Sequence, residues 1–229
     1  MMQPKLMTGL RVKRTRVKTA KGRIASSTRW ISRQLHDPFV LEAKKQGYRA
    51  RSAFKIIELD EMFHLFSRGK KVVDLGAAPG GWSQVIAELT CSPKENPTVV
   101  ALDILPMKPI DGVKVLTMDF MTSEAPKHLK EAAGGAVDVV VSDMAANTTG
   151  TPSLDHLRIM NLVEEAFWFA TEILKDGGAF VAKVFQGGTE AKLLAEMKKY
   201  FKTVKHAKPA ASRKESPEEY VVALGFKRP

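Results

Sequence analysis

The chain has a single cysteine, Cys91, among 229 residues, which excludes an internal disulfide. Its five histidines, at positions 36, 64, 128, 156 and 206, show no metal-ligand spacing, so no metal is expected. No apolar run approaches the roughly 18 residues of a membrane span. The N-terminus lacks the apolar region of a secretory signal, and the expectation is a soluble protein without a membrane partner. Acidic residues are missing altogether before Asp37. Residues 1–55 hold 15 Lys or Arg against two acids, whereas residues 56–229 hold 21 basic and 23 acidic residues. The net charge of +11 therefore lies wholly in the N-terminal quarter, which favours a polyanionic partner at that end. A solubilising tail or a mitochondrial presequence has the same composition.

With 44% hydrophobic residues the chain can bury one substantial core, and nothing divides it into two domains of viable size. Residues 1–27 read as a basic mobile arm and residues 28–229 as one domain. Helical segments are expected at 39–46 and 52–65, with Gly47 as a C-cap between them. The second should turn Phe54, Ile57, Leu59, Met62 and Phe63 to a core. Strands then alternate with helices: strand 71–75, helix 82–90, strands 98–103, 113–118 and 137–142, helix 153–175, strand 178–185, helix 189–200. This is the rhythm of a mostly parallel α/β sheet. The runs Val139-Val140-Val141 and Ala179-Phe180-Val181 are apolar without alternation, as central strands covered on both faces require. Residues 201–208 and 220–226 read as two strands joined by a charged loop, hence an antiparallel pair.

The stretch Val72-Val73-Asp74-Leu75-Gly76-Ala77-Ala78-Pro79-Gly80-Gly81-Trp82 takes a buried strand through a glycine-rich turn into a helix. In a doubly wound sheet, that first turn is the natural place for a nucleotide-like cofactor. Asp103, Asp119 and Asp143 each stand at or just past a strand end, so three carboxylates converge on one rim. A strand-end acid at Asp103 suits a ribose diol. The turn is Gly-x-x-x-Gly-Gly and is followed by the bulky Trp82, which fits a dinucleotide pyrophosphate poorly. It fits S-adenosylmethionine, with N–H groups toward the carboxylate of its methionine tail and acids near the ammonium. Lys183 interrupts the otherwise apolar strand Ala179–Phe185, and a buried ammonium is costly unless paired or functional. Asp143, on the neighbouring strand, is its expected partner.

Three segments, Asp74–Gln84, Ser142-Asp143-Met144-Ala145 and Val181–Gly187, together resemble the FtsJ (also called RrmJ) family of ribosomal RNA 2′-O-ribose methyltransferases. The likeness runs over roughly residues 26–228. It implies a Rossmann-like class I methyltransferase, with a seven-stranded, mostly parallel sheet, an antiparallel C-terminal strand and helices on both faces. It also implies a catalytic tetrad of Lys55, Asp143, Lys183 and Glu219. Cofactor contacts fall on Gly80, Trp82, Asp103, Asp119 and Asp143. The implied cofactor is S-adenosylmethionine, and the implied substrate is a uridine ribose in the A loop of 23S ribosomal RNA on the 50S subunit. A monomer in the bacterial cytoplasm is expected, with the mitochondrial matrix as the alternative.

Rival readings fare worse. Base methylation lacks the Asn/Asp-Pro-Pro-aromatic run that would stack a flipped base. Carbon-5 methylation needs a cysteine nucleophile, and Cys91 lies away from the acidic rim. A cap-ribose methyltransferase shares the tetrad and is the nearest alternative. A dehydrogenase is disfavoured by the turn, and a non-catalytic RNA-binding assembly factor by the intact tetrad.

Overall fold

The structure, a computed structural model, describes residues 31–32, 34–146, 149–185 and 191–228. The expected arm, Gln186 and Gly187 of the third motif, and the start of the helix expected from 189 lie outside the described residues. Helices α1 (Pro38–Gln46) and α2 (Ala53–Phe63) lie before the sheet in the chain. Asp37 caps α1 by accepting the Phe39 N–H at 3.0 Å, and Gly47 ends it at φ 79°, as the C-cap reading requires. The remaining order is β1 (Val72–Leu75), α3 (Gly81–Thr90), β2 (Val99–Asp103), β3 (Val113–Thr117), α4 (Ala125–Ala133) and β4 (Val137–Ser142), followed by α5 (Pro152–Ile173), β5 (Leu174–Phe185), α6 (Ala191–Tyr200), β6 (Phe201–Ala207) and β7 (Glu218–Phe226).

The seven strands form one sheet in the order β3-β2-β1-β4-β5-β7-β6. Strands β1 to β5 pair in parallel, and β7 runs antiparallel to both β5 and β6. The two apolar runs singled out in the sequence are thus β4, at the middle of the sheet, and its neighbour β5. Alternate residues feed two cores. Val73, Leu75, Val140, Phe180 and Val221 meet α4, α5 and α6 on one face. Val72, Val99, Val141, Val181 and Tyr220 meet α2 and α3 on the other.

Three departures from the sequence reading have local causes. Helix α4 was not expected, because only Ala125 and Leu129 of its nine residues are buried and a proline stands in its first turn. On α2 the buried side chains include Ile56 and Leu59, while Met62 is exposed. Strand β5 begins at Leu174 rather than 178, because Leu174 pairs with Val137 across a register shift in β4. No helix among the described residues is long and apolar enough to cross a membrane.

Candidate active site

Strand β1 ends where Gly76 turns at φ 74°; a Cβ there would lie 2.7 Å from the Met144 backbone. Only glycine lets the turn approach the loop after β4 so closely. Gly80 opens α3 at φ 106°, where a Cβ would lie 2.6 Å from Ile110 Cδ1. Arg49 fastens this turn from outside, donating to the carbonyls of Pro79 at 3.3 Å, Lys108 at 2.6 Å and Pro109 at 2.5 Å.

A cavity of about 970 Å³ opens at the carboxyl ends of β1, β2 and β4, between Gly76, Asp103, Asp119 and Asp143. Asp103 closes β2 and accepts the N–H groups of Ala78 and Leu105, each at 2.8 Å. A carboxylate has about four acceptor positions, so two remain for hydroxyls of a ligand. Asp119 accepts the Met121 N–H at 2.9 Å and also lines the cavity. Ile104, Leu105, Met121 and Leu157 stand exposed around the same space, giving it apolar walls suited to a flat base.

Asp74, one turn deeper, is fully buried. Its Oδ2 accepts the Ser83 hydroxyl at 2.6 Å, and its Oδ1 makes no hydrogen bond. Burial, reinforced by the charges of Asp143 and Asp103 and only partly offset by Ser83, pushes its carboxyl up to about 7.

Beyond Asp143, β4, β5 and α2 bring three of the four expected catalytic residues into one cluster, with one correction. Lys183 is only 7% exposed; its Nζ donates to the Asp143 carbonyl at 2.6 Å and lies 3.2 Å from Asp143 Oδ1. The Tyr220 hydroxyl donates to the same Oδ1 at 3.0 Å, and burial, with the Asp143 and Glu218 charges, raises the phenol well above its ordinary value. Lys55, on α2, lies 2.6 Å from Glu218 Oε1 and sits over the Tyr220 ring. The glutamate of this cluster is therefore Glu218, not Glu219. Strand pairing explains it: Lys183 lies opposite Tyr220, so Tyr220 and Glu218 share its face. Glu219, paired with Val184, points to the other face. Burial alone would raise the Glu218 carboxyl, but Lys55, the Ser212 hydroxyl and Lys183 outweigh it and hold the group below its ordinary value.

Gly80 and Trp82 do not line the cavity. The Trp82 side chain belongs to the core: its indole is 2% exposed, donates to the Ser52 carbonyl at 2.9 Å and packs against Tyr220 with ring centroids 5.6 Å apart. Cys91 is exposed at the far end of α3. Sequence reasoning gave no role to Met144, Ser212 and Tyr220. Of these, only Tyr220 had a visible signal, being an aromatic in register with Lys183.

A seven-stranded sheet with an antiparallel seventh strand inserted beside β5, and a cavity ringed by strand-end acids beyond a glycine turn, is the class I methyltransferase arrangement. The sequence profile of FtsJ-like methyltransferases matches residues 48–226, and the chain belongs to that family. The chain is 59% identical over 221 residues to the ribosomal RNA large subunit methyltransferase E of Rhodospirillum rubrum, covering 96% of this chain and 84% of that protein. It is 60% identical to the protein of that name from Paramagnetospirillum magneticum, covering 93% and 88%. A crystal structure from Plasmodium falciparum, assigned as a ribosomal RNA methyltransferase, superposes with a TM-score of 0.67 at 28% identity over 78% of this chain and 98% of that one.

Proposed function

We propose that this methyltransferase moves a methyl group from S-adenosylmethionine to a ribose 2′-hydroxyl of large-subunit ribosomal RNA, a uridine of the A loop. The observation that carries the reading is the Lys183–Asp143 contact at the rim of the cavity. The acceptor chemistry of the cavity fits the cofactor: Asp103 keeps acceptor capacity for a ribose diol, and the apolar walls suit adenine. Asp103, Asp119 and Asp143, which line the cavity, would hold it. When bound, it supplies an electrophilic methyl on a sulfonium.

The protein supplies alignment. A ribose hydroxyl is a poor nucleophile at neutral pH, so its oxygen must be held on the line of attack. The Lys183 ammonium has three donors; Asp143 takes two, and the third is left for the substrate oxygen. Asp143 fixes the lysine through backbone and side chain together, and Tyr220 fixes the carboxylate. Lys55 and Glu218 form the neighbouring pair facing the same substrate space.

RNA capture falls to the basic arm, residues 1–27, and to the exposed Lys44 and Lys45. Arg49 and Arg51 are unsuited to phosphates because their guanidiniums are engaged within the protein. Deletion of residues 1–25 should weaken subunit binding and flatten its salt dependence by about 0.7–0.9 log units per lost phosphate contact. Cofactor affinity should be unchanged. The enzyme would act as a cytoplasmic monomer. The test is labelled methyl transfer to purified large subunits and to naked RNA, with the modified ribose mapped. A methylated base, or no transfer to either substrate, would overturn the reading.

A further inference from the structure

The loop between β6 and β7 has no catalytic side chain of its own, yet it is tethered at several points to the residues that precede the sheet. Arg51 donates both to Asp37 Oδ2 and to the Ala211 carbonyl. Arg213 reaches the same Asp37 Oδ2 at 3.1 Å, and Glu58 Oε2 accepts the Ala211 N–H at 2.9 Å. Asp37 and Ala211 are buried, and Ala211 packs beside Ala43 and Phe54. Residues at the start of α1, before α2 and within α2 thus grip one short stretch of the loop from three sides. The next residue is Ser212, 5% exposed, whose hydroxyl donates to Glu218 Oε1 at 2.8 Å. That same oxygen receives Lys55 at 2.6 Å.

We propose that Ser212 is a positioning residue for methyl transfer: its hydroxyl fixes the Glu218 carboxylate against Lys55, and the Asp37–Arg51–Arg213 clamp holds the loop that presents it. The proposal rests on the reading of Lys183, Asp143, Lys55 and Glu218 as the methyl-transfer site. Without the hydroxyl, Glu218 loses the donor that sets it against Lys55, and rotation toward Lys183 would unbalance the contact between Lys183 and Asp143. The groups facing Glu218 are Lys55 from α2, Lys183 from β5, Tyr220 from its own strand, Arg51 from the segment before α2, and Ser212. Ser212 is the neutral donor of the set that the loop delivers. A hydrogen bond to the ionised carboxylate favours that form, so its loss raises the carboxyl's pKa. The active form is ionised, and activity then falls at a higher pH as the medium is acidified.

The experiment measures kcat between pH 4 and 8, with full-length protein, purified large ribosomal subunits and labelled S-adenosylmethionine, for Ser212→Ala, Ser212→Thr and Lys183→Ala. Ser212→Ala should lower kcat at neutral pH by about 3- to 10-fold. It should also move the acid limb up by about 0.5–1 pH unit, with KM for the cofactor unchanged. Ser212→Thr, which keeps the hydroxyl, should restore both. Wild-type kcat and an unmoved limb in Ser212→Ala would overturn the proposal. So would a loss that threonine does not restore, because that would reflect a loosened loop. Full transfer by Lys183→Ala would instead overturn the underlying site reading, a failure distinct from that of Ser212 alone.

Discussion

Lys55 Nζ lies 2.6 Å from Glu218 Oε1, while the adjacent glutamate, Glu219, leaves the opposite face of β7. Two neighbouring carboxylates with the same chemistry are thus separated by strand parity alone. Glu218→Gln removes the ionised partner of Lys55 and should lower kcat by a factor of order 10–10², the cost of a misplaced catalytic group. Glu219→Gln should stay near wild type. Steady-state methyl transfer by the two variants, side by side, checks the assignment; a larger loss in Glu219→Gln would reverse it.

Lys183→Ala should lose about 10²–10⁴-fold in turnover, as for a positioned group acting on the proton or oxygen of the substrate. Cofactor affinity should hold, because Lys183 stands behind Asp143 and does not line the cavity. Lys183→Arg keeps charge and donors but cannot accept a proton. Turnover close to wild type in the arginine variant would make alignment, not proton removal, the role of this side chain.

Asp103→Ala should weaken S-adenosylmethionine binding by about 1.5–3 kcal/mol, the range for a hydrogen bond to a charged group. The substitution also frees the N–H groups of Ala78 and Leu105, so part of the loss will come from the turn itself. Calorimetry on the variant gives the value, and unchanged affinity would remove Asp103 from the site.

Asp74 predicts a pH dependence of stability. Its carboxyl titrates near 7 in the fold against an ordinary value of 3.8, so between those values the folded state holds a proton that the unfolded chain has lost. The stabilisation present below pH 4 is therefore lost as pH rises through 7. Asp74→Asn cannot ionise. Its unfolding free energy should match wild type near pH 4 and exceed it by an amount that grows up to pH 7, reaching a difference of order 4 kcal/mol at pH 8. A constant offset across that range would mean that Asp74 does not titrate there.

Much of this was legible in the sequence because the signals were local. The glycine turn, the strand-end acids and the lysine inside an apolar strand each lie within a few residues of the structure that explains them. Helix α4 was missed because two buried residues make too faint a stripe. The tetrad glutamate was misplaced by one residue because Glu218 and Glu219 differ only in which face of β7 they occupy, and that depends on pairing with β5. Ser212 was invisible for a different reason: its partner Glu218 is only six residues on, but a serine in a charged loop has no periodicity to mark it. The family resemblance implied a cofactor contact at Trp82, but its indole fills the core between α3 and Tyr220.

The most direct test of the central claim is labelled methyl transfer from S-adenosylmethionine to purified large ribosomal subunits, followed by mapping of the modified nucleotide. The account predicts a single 2′-O-methylated ribose in the large-subunit RNA, formed by the wild-type protein and lost with Lys183→Ala. Label on a base, or undiminished label with Lys183→Ala, would contradict it.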